Sequence, residues 1–211
     1  MINLLPPHST YIETHLGGGA VLRHKLPAKT TIGVDIDPAV IDLWQERFPD
    51  LALLVKGDAL DFLQGHQFCI DDVVYCDPPY LPSTRRAKRV YRFEYDQRDH
   101  EQLLDVLCQL RCNVVISGYP SGLYDSYLNT WNSKKFTAKA HNGLREEKLW
   151  FNFAPPDQLH DPRFRGDDFR ERQNIKRRFQ RMQARLTALP IQEQQAVLDW
   201  LRSQLPKDSN R

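Results

Sequence analysis

The 211-residue chain is short of paired cysteines, of long apolar runs and of surplus charge. Its four cysteines, Cys69, Cys76, Cys108 and Cys112, form no CxxC pair and have no histidine at zinc-ligand spacing, so neither a disulfide scaffold nor a metal centre is expected. No secretory leader is recognisable, and a reducing cytoplasm is the expected compartment. Apolar stretches such as residues 113–117 fall far below the roughly 20 residues of a membrane-spanning helix, so a soluble protein without a membrane partner is expected. Twenty-nine Lys and Arg against 27 Asp and Glu leave a formal charge of +2, and any nucleic-acid surface must come from uneven placement. What is present, 41% hydrophobic and 27% charged residues, suffices for one buried α/β domain with an appendage and excludes a disordered chain.

Between residues 11 and 153 short apolar runs alternate with helical patterns, as when helices cover both faces of a parallel sheet. Strands are expected at residues 11–13, 31–35, 51–55, 73–76 and 113–117. Helices are expected at 20–24, 38–47 and 100–110, the second with Asp37 as N-cap and Pro38 at its first position. Residues 134–140 and 147–153 then read as an antiparallel pair around Asn142-Gly143. After Pro155-Pro156 the chain becomes strongly basic and helical. The expected division is a domain at 1–155, containing a basic and aromatic loop at 81–98, and a helical extension at 156–211. No internal repeat is evident.

The first strand ends in Glu13, and Gly17, Gly18 and Gly19 follow just before a helix. Glycine permits a tight turn and close approach of a ligand, and the helix start offers free N–H groups, which suits a nucleoside-type cofactor. A plain turn is the alternative. About twenty residues on, Asp35 ends the next strand, where a carboxylate can accept both ribose hydroxyls. Asp58 follows the third strand and either accepts from an adenine amine or caps a short helix.

The most informative segment is the strand that runs into Asp77-Pro78-Pro79-Tyr80. Two prolines cannot continue a central strand, so the chain leaves the sheet in a stiff turn, holding the Asp77 carboxylate and the Pro78 carbonyl as converging acceptors. An exocyclic purine amine is a poor nucleophile because its lone pair is delocalised into the ring. Two acceptors on its N–H groups free that pair for attack on a sulfonium methyl group, and the Tyr80 ring can stack an extruded base for about 1–3 kcal/mol.

Glu13-x-x-x-Gly17-x-Gly19, Asp35, Asp77-Pro-Pro-Tyr80, Ser117-Gly-Tyr119 and Glu147-Lys-Leu-Trp-Phe-Asn152 together resemble the Dam-like adenine-N6 DNA methyltransferases, including prophage versions, over about residues 1–153. The resemblance implies a Rossmann-like α/β sheet that binds S-adenosylmethionine. It places Glu13 and the Gly17–Gly19 backbone at the methionine part, Asp35 at the ribose, Asp58 at the adenine, and a flipped target adenine at Asp77, Pro78 and Tyr80. DNA is the implied partner, with RNA as the alternative.

Three departures accompany the likeness. Thr14-His15 stands where the family carries Pro-Phe, so His15 either lines the pocket wall or takes an acid-base part. The chain begins at Met1-Ile-Asn-Leu-Leu without the family's Gly- and Lys-containing first segment, so either the site is incomplete or another element covers the donor. The interval between Asp58 and Asp77 leaves no room for a target-recognition insert. Target contact is therefore expected from Arg85, Arg86, Lys88, Arg89, Tyr91 and Arg92, whose charges suit phosphates and whose rings suit bases, with weak sequence specificity. A loop with a small satellite core is the bland reading of the same segment.

In the extension, Ile175, Phe179, Met182, Leu186 and Leu189 recur at helical spacing with arginines between them, followed by a second helical pattern holding Val197, Trp200, Leu201 and Leu205. The basic face either extends a nucleic-acid footprint or is merely solvated. Competing functions for the whole chain are an RNA guanine-N2 or adenine methyltransferase and an inactive nucleic-acid-binding prophage remnant.

Overall fold

The computed structural model describes residues 1–85, 90–140, 143–166 and 169–204. Two compact units emerge, Met1–Arg163 and Phe164–Arg211. Composition put the boundary at Pro155-Pro156, but the following residues stay with the first unit. Asp161, almost fully buried, donates its backbone N–H to Asn3 Oδ1 at 2.8 Å, and His160 stacks on His8.

The first unit is built on β1 (Thr10–Glu13), α1 (Ala20–His24), β2 (Thr30–Asp35), α2 (Pro38–Arg47), β3 (Leu53–Lys56), α3 (Ala59–Gly65), β4 (Val73–Cys76), α4 (Gln97–Gln109), β5 (Asn113–Gly118), α5 (Gly122–Tyr127), β6 (Asn132–Ala140) and β7 (Gly143–Phe151). The strands form one sheet in the order β3-β2-β1-β4-β5-β7-β6, parallel through β5 and antiparallel beyond it. This is the expected Rossmann-like α/β sheet with its edge hairpin. The connecting residue Asn142 lies outside the described residues.

The two-residue period of the strands divides the core between the two faces. Tyr11, Val73, Tyr75, Val115, Leu149 and Phe151 join Leu5, Leu16 and Trp44 on one side. Ile12, Val74, Cys76, Val114, Ile116 and Trp150 join Leu103, Leu104 and Leu107 on the other. α4 buries His100, Leu103, Leu104 and Leu107, one face at the i, i+3, i+4, i+7 spacing. It starts three residues before the expected position because Asp96 and Asp99 form a reciprocal capping box.

The other boundaries shift for local reasons. β3 lies two residues later than the apolar run suggested, with Leu51 in the preceding turn. β7 begins at Gly143 and stops at Phe151, not 153. Beyond it the Asn152 side chain continues the pairing, Oδ1 accepting from Val114 N at 2.8 Å and Nδ2 donating to Cys112 O at 2.9 Å. α5 was not anticipated; Ser121 caps it and Tyr124 anchors it in the core.

In the second unit, α6 (Phe169–Thr187) and α7 (Ile191–Gln204) are separated at Pro190, which has no N–H to extend a helix. Gln194 Nε2 donates to Leu189 O at 2.7 Å and so ties the start of α7 to the turn before it. Ile175, Phe179, Leu186 and Leu189 are half-buried, whereas Met182, Trp200 and Leu201 are exposed. Leu205 lies outside the described residues. Among the described residues no helix is long and apolar enough to cross a membrane.

Candidate active site

Strand order reverses between β1 and its two neighbours, β2 on one side and β4 on the other, and a crevice opens beyond the carboxyl ends of these strands. A cavity of about 410 Å³ lies there. Glu13, Gly17, Gly18, Gly19, Asp35 and Asp58 all line it. So does Asp77. Two segments 64 residues apart meet because Glu13 pairs in register with Tyr75, two residues before Asp77.

Glu13 is buried, its Oε2 accepting from the Tyr11 hydroxyl at 3.0 Å and from Leu22 N at 3.2 Å. Burial pushes its carboxyl up to about 8, the nearby Asp77 charge adds to this, and the two hydrogen bonds and Lys25 oppose it. The turn that follows needs glycine, since Gly17 and Gly19 have φ of 43° and 54°. Its shape is held from two sides, Gly17 N donating to Asp35 Oδ2 at 2.8 Å and Trp44 Nε1 donating to Gly17 O at 2.9 Å.

Asp35 Oδ1 accepts from Asp37 N at 2.9 Å, so this carboxylate braces the turn on both sides. Asp37 caps α2 through Ala39 N, as expected from its position before Pro38. Asp58 takes the capping reading, Oδ1 accepting from Leu60 N at 2.7 Å at the start of α3, and the residue also lines the cavity.

Asp77 is exposed and lines the cavity. Ser117 Oγ donates to its Oδ1 at 2.7 Å, and the buried Tyr75 hydroxyl lies 3.1 Å from Ser117 Oγ. Burial raises the Asp77 carboxyl above the ordinary aspartate range, and the hydroxyls of Ser117 and Tyr80 hold it back. Pro79 lines the cavity, whereas Pro78, which is buried, and Tyr80 do not. The Tyr80 hydroxyl donates to Glu147 Oε2 at 3.2 Å, and its ring meets Tyr119 edge-on at 4.6 Å.

The basic loop is arranged differently from its sequence reading. Arg86, Lys88 and Arg89 lie outside the described residues. Arg85 is not presented to a phosphate: its side chain is 4% exposed and pairs with Glu94 at both carboxylate oxygens, at 3.0 and 2.6 Å. Glu94 also accepts from Val90 N and Tyr91 N, and the Arg85 guanidinium holds its carboxyl down at about 2. Arg92 pairs with Asp37 at 3.0 Å, and Tyr91, Arg92, Phe93 and Tyr95 line the same cavity as the glycine turn. Tyr91 and Arg92 therefore belong to a cavity wall.

That wall is fastened at His15. Its Nε2 lies 3.2 Å from the Tyr95 hydroxyl, its Nδ1 lies 3.0 Å from Thr14 Oγ1, and Thr14 donates to Cys76 Sγ. Burial lowers the imidazole to about 3, so it is neutral and accepts from Tyr95 while donating through Nδ1–H. This favours the pocket-wall reading of His15. Sequence reasoning missed the places of Phe93 and Tyr95 in the cavity wall and of the Tyr75 hydroxyl behind Ser117. Ser117 carried a faint signal, a hydroxyl ending an otherwise apolar strand.

Residues 58–143 match the model of the D12 class N6 adenine-specific DNA methyltransferases. The matched stretch takes in α3, the Asp77-Pro-Pro-Tyr80 corner, the loop and Ser117. Among solved structures, the chain is similar to an rRNA methylase from Streptococcus thermophilus, with 14% identity over 71% of this chain and 89% of that one and a TM-score of 0.47. It is also similar to M. capricolum TrmK in complex with S-adenosyl-homocysteine, with 10% identity over 94% and 89% and a TM-score of 0.46. A third likeness is to the N-methyltransferase NodS from Bradyrhizobium japonicum, with 12% identity over 69% and 86% and a TM-score of 0.48. No curated protein matches the sequence.

The lining suits a nucleoside-type cofactor such as S-adenosylmethionine. A Cβ added at Gly17 or Gly18 would meet nothing within 4 Å, so the turn is an open cradle. Three carboxylates at successive strand ends offer acceptors for ammonium, ribose hydroxyl and adenine amine groups, and the aromatic wall adds apolar surface.

Proposed function

We propose that the chain methylates the exocyclic N6 of adenine in DNA, with the base turned out of the duplex. The observation that carries this reading is that Asp77 opens onto the cavity walled by Glu13 and Gly17–Gly19, so an amine held at the rigid corner sits beside the donor's place. Glu13 pairs with the ammonium of the methionine part, Gly17–Gly19 cradle it, Asp35 accepts from the ribose, and the remaining capacity of Asp58 serves the adenine ring. The bound donor supplies an electrophilic methyl group on sulfonium sulfur.

Everything else falls to the protein. Asp77 and the Pro78 carbonyl accept the two N–H groups of the target amine, which localises the nitrogen lone pair. Once nitrogen has gained its methyl group it must lose a proton, and Asp77, whose affinity for protons is raised, is the adjacent acceptor. Tyr80, braced by Tyr119 and Glu147, gives the extruded base a flat face. Aromatic residues 91, 93 and 95 line the cavity and screen it from water. The free thiols Cys69, Cys76, Cys108 and Cys112 suit a reducing cytoplasm.

The test is transfer of labelled methyl groups from S-adenosylmethionine to DNA and to RNA, followed by nuclease digestion. N6-methyladenine in DNA is expected. Label confined to guanosine of RNA overturns the substrate assignment, and absence of saturable S-adenosylhomocysteine binding by calorimetry identifies an inactive remnant.

A further inference from the structure

We propose that α6 is the DNA-backbone contact of this protein, a track of arginines that binds the phosphates of duplex DNA. The inference rests on the methyltransferase reading only for the identity of the polymer. Its first support is the division of charge between the two units. Residues 1–163 hold 18 Lys and Arg against 21 Asp and Glu, a net charge of −3, while residues 164–211 hold 11 against 6, a net charge of +5. A polyanion is repelled on average by the unit that carries the chemistry and attracted by the other.

The second support is where the guanidinium groups of Arg85 and Arg92, described residues of the loop, are committed. Arg85 is buried against Glu94, and Arg92 reaches Asp37. On α6, by contrast, no carboxylate among the described residues pairs with Arg170, Arg177, Arg178, Arg181 or Arg185. All five are exposed. An exposed cation without a partner is the form that releases condensed counterions when it meets a phosphate.

The third support is their arrangement. At 3.6 residues per turn, these five side chains fall within an arc of about 100°, and Ile175, Phe179, Met182 and Leu186 occupy a separate arc. Positions 170 and 185 are separated by about 22 Å along the helix axis at 1.5 Å per residue. That length spans roughly six base-pair rises of 3.4 Å along the duplex axis. Asn174 lies on the same face and adds a neutral donor. No base-reading element is needed for such a contact, and none is assigned to it. It supplies affinity and holds the covalently attached catalytic unit near DNA at high effective concentration.

The experiment uses the full chain and a fluorescein-labelled duplex containing adenine, with anisotropy measured between 50 and 200 mM salt. The variant carries R177A, R181A and R185A together; alanine is a strong helix former, and circular dichroism checks that α6 persists. Loss of three phosphate contacts predicts a log–log salt slope shallower by about 2.7 and at least tenfold weaker binding at the low-salt end, with S-adenosylhomocysteine affinity unchanged. The matching triple lysine variant keeps the wild-type slope. An unchanged slope and affinity in the alanine variant overturns the proposal, as does tighter binding of the wild type to phosphatidylserine vesicles than to duplex. If the wild type methylates adenine in DNA and the alanine variant does so with the same DNA KM, this inference fails and the enzymatic reading stands. If duplex binding follows the expected slopes but no methyl group is transferred, the reverse holds.

Discussion

Ser117 Oγ donates to Asp77 Oδ1 at 2.7 Å across neighbouring parallel strands, and the Tyr75 hydroxyl lies 3.1 Å behind Ser117. The carboxylate at the corner is thus aimed by a hydroxyl that itself never needs to touch a substrate. Ser117→Ala is expected to lower kcat by about 10- to 100-fold, the scale of a hydrogen bond to a charged group. Donor affinity should stay constant, and the acidic limb of the pH–rate profile should move to higher pH, since the hydroxyl holds the Asp77 carboxyl down. A drop in kcat with an unmoved limb would assign Ser117 to packing alone. Asp77→Ala is expected to abolish transfer while calorimetry still detects S-adenosylhomocysteine; equal loss of both contradicts its role.

Glu13 gives a pH dependence of definite sign. Burial carries its carboxyl from an ordinary 4.5 up to about 8, so the folded protein binds a proton that the unfolded chain releases. Its contribution to stability is complete below about 4.5 and is lost as pH rises through about 8. Denaturant titrations from pH 5 to 8.5 should show that decline, and Glu13→Gln should flatten it. A cationic ammonium placed beside this carboxylate favours ionisation. Calorimetry near pH 7 should therefore show proton release on S-adenosylhomocysteine binding, as heats that vary with the buffer, and Glu13→Gln should remove the variation.

Two arginines of one loop should fail in different ways. Arg85→Ala breaks a bidentate pair whose guanidinium is shielded from water, and it should cost about 1–3 kcal/mol of stability, read as a lower Tm. Arg92→Ala removes an ion pair whose arginine side chain is 66% exposed, worth about 0.2–1 kcal/mol. It should weaken donor binding no more than about fivefold, with a difference that fades in high salt. Neither change should alter the salt slope of DNA binding; a slope reduced by Arg92→Ala would return this loop to the phosphate contacts.

Gly19→Ala tests the turn. Its φ of 54° is unfavourable for any other residue, and the added Cβ would run into the Trp44 ring, with Trp44 Cη2 only 2.6 Å away. Because Trp44 also donates to Gly17 O, the strain reaches the whole cradle. Stability should fall by about 1–3 kcal/mol, and donor binding should weaken beyond what the fall in Tm explains.

Most of the sheet could be read from the chain, because strands buried on both faces appear as short apolar runs and helices announce themselves through caps such as Asp37-Pro38. The corner at Asp77-Pro-Pro-Tyr80 was equally plain, since consecutive prolines restrict the backbone before any packing is considered. What escaped notice depended on partners far away in sequence. Composition shows that Arg85 is basic, but only the fold brings Glu94 against it. Rings at Tyr91 and Phe93 suit stacking on bases or roofing a cavity, and the choice is made by Arg92 reaching Asp37 and Tyr95 reaching His15.

The pairing of Glu13 with Tyr75 has an effect on how activity is acquired. Side chains alternate along a strand, so slippage of β1 against β4 by a single residue would turn the Glu13 carboxylate away and bring Ile12 to the crevice. Such a misaligned molecule lacks half of its chemistry outright. Recovered turnover after refolding should therefore report the fraction of molecules in correct alignment, all working at full speed, with no population of sluggish intermediates between them and the inert remainder.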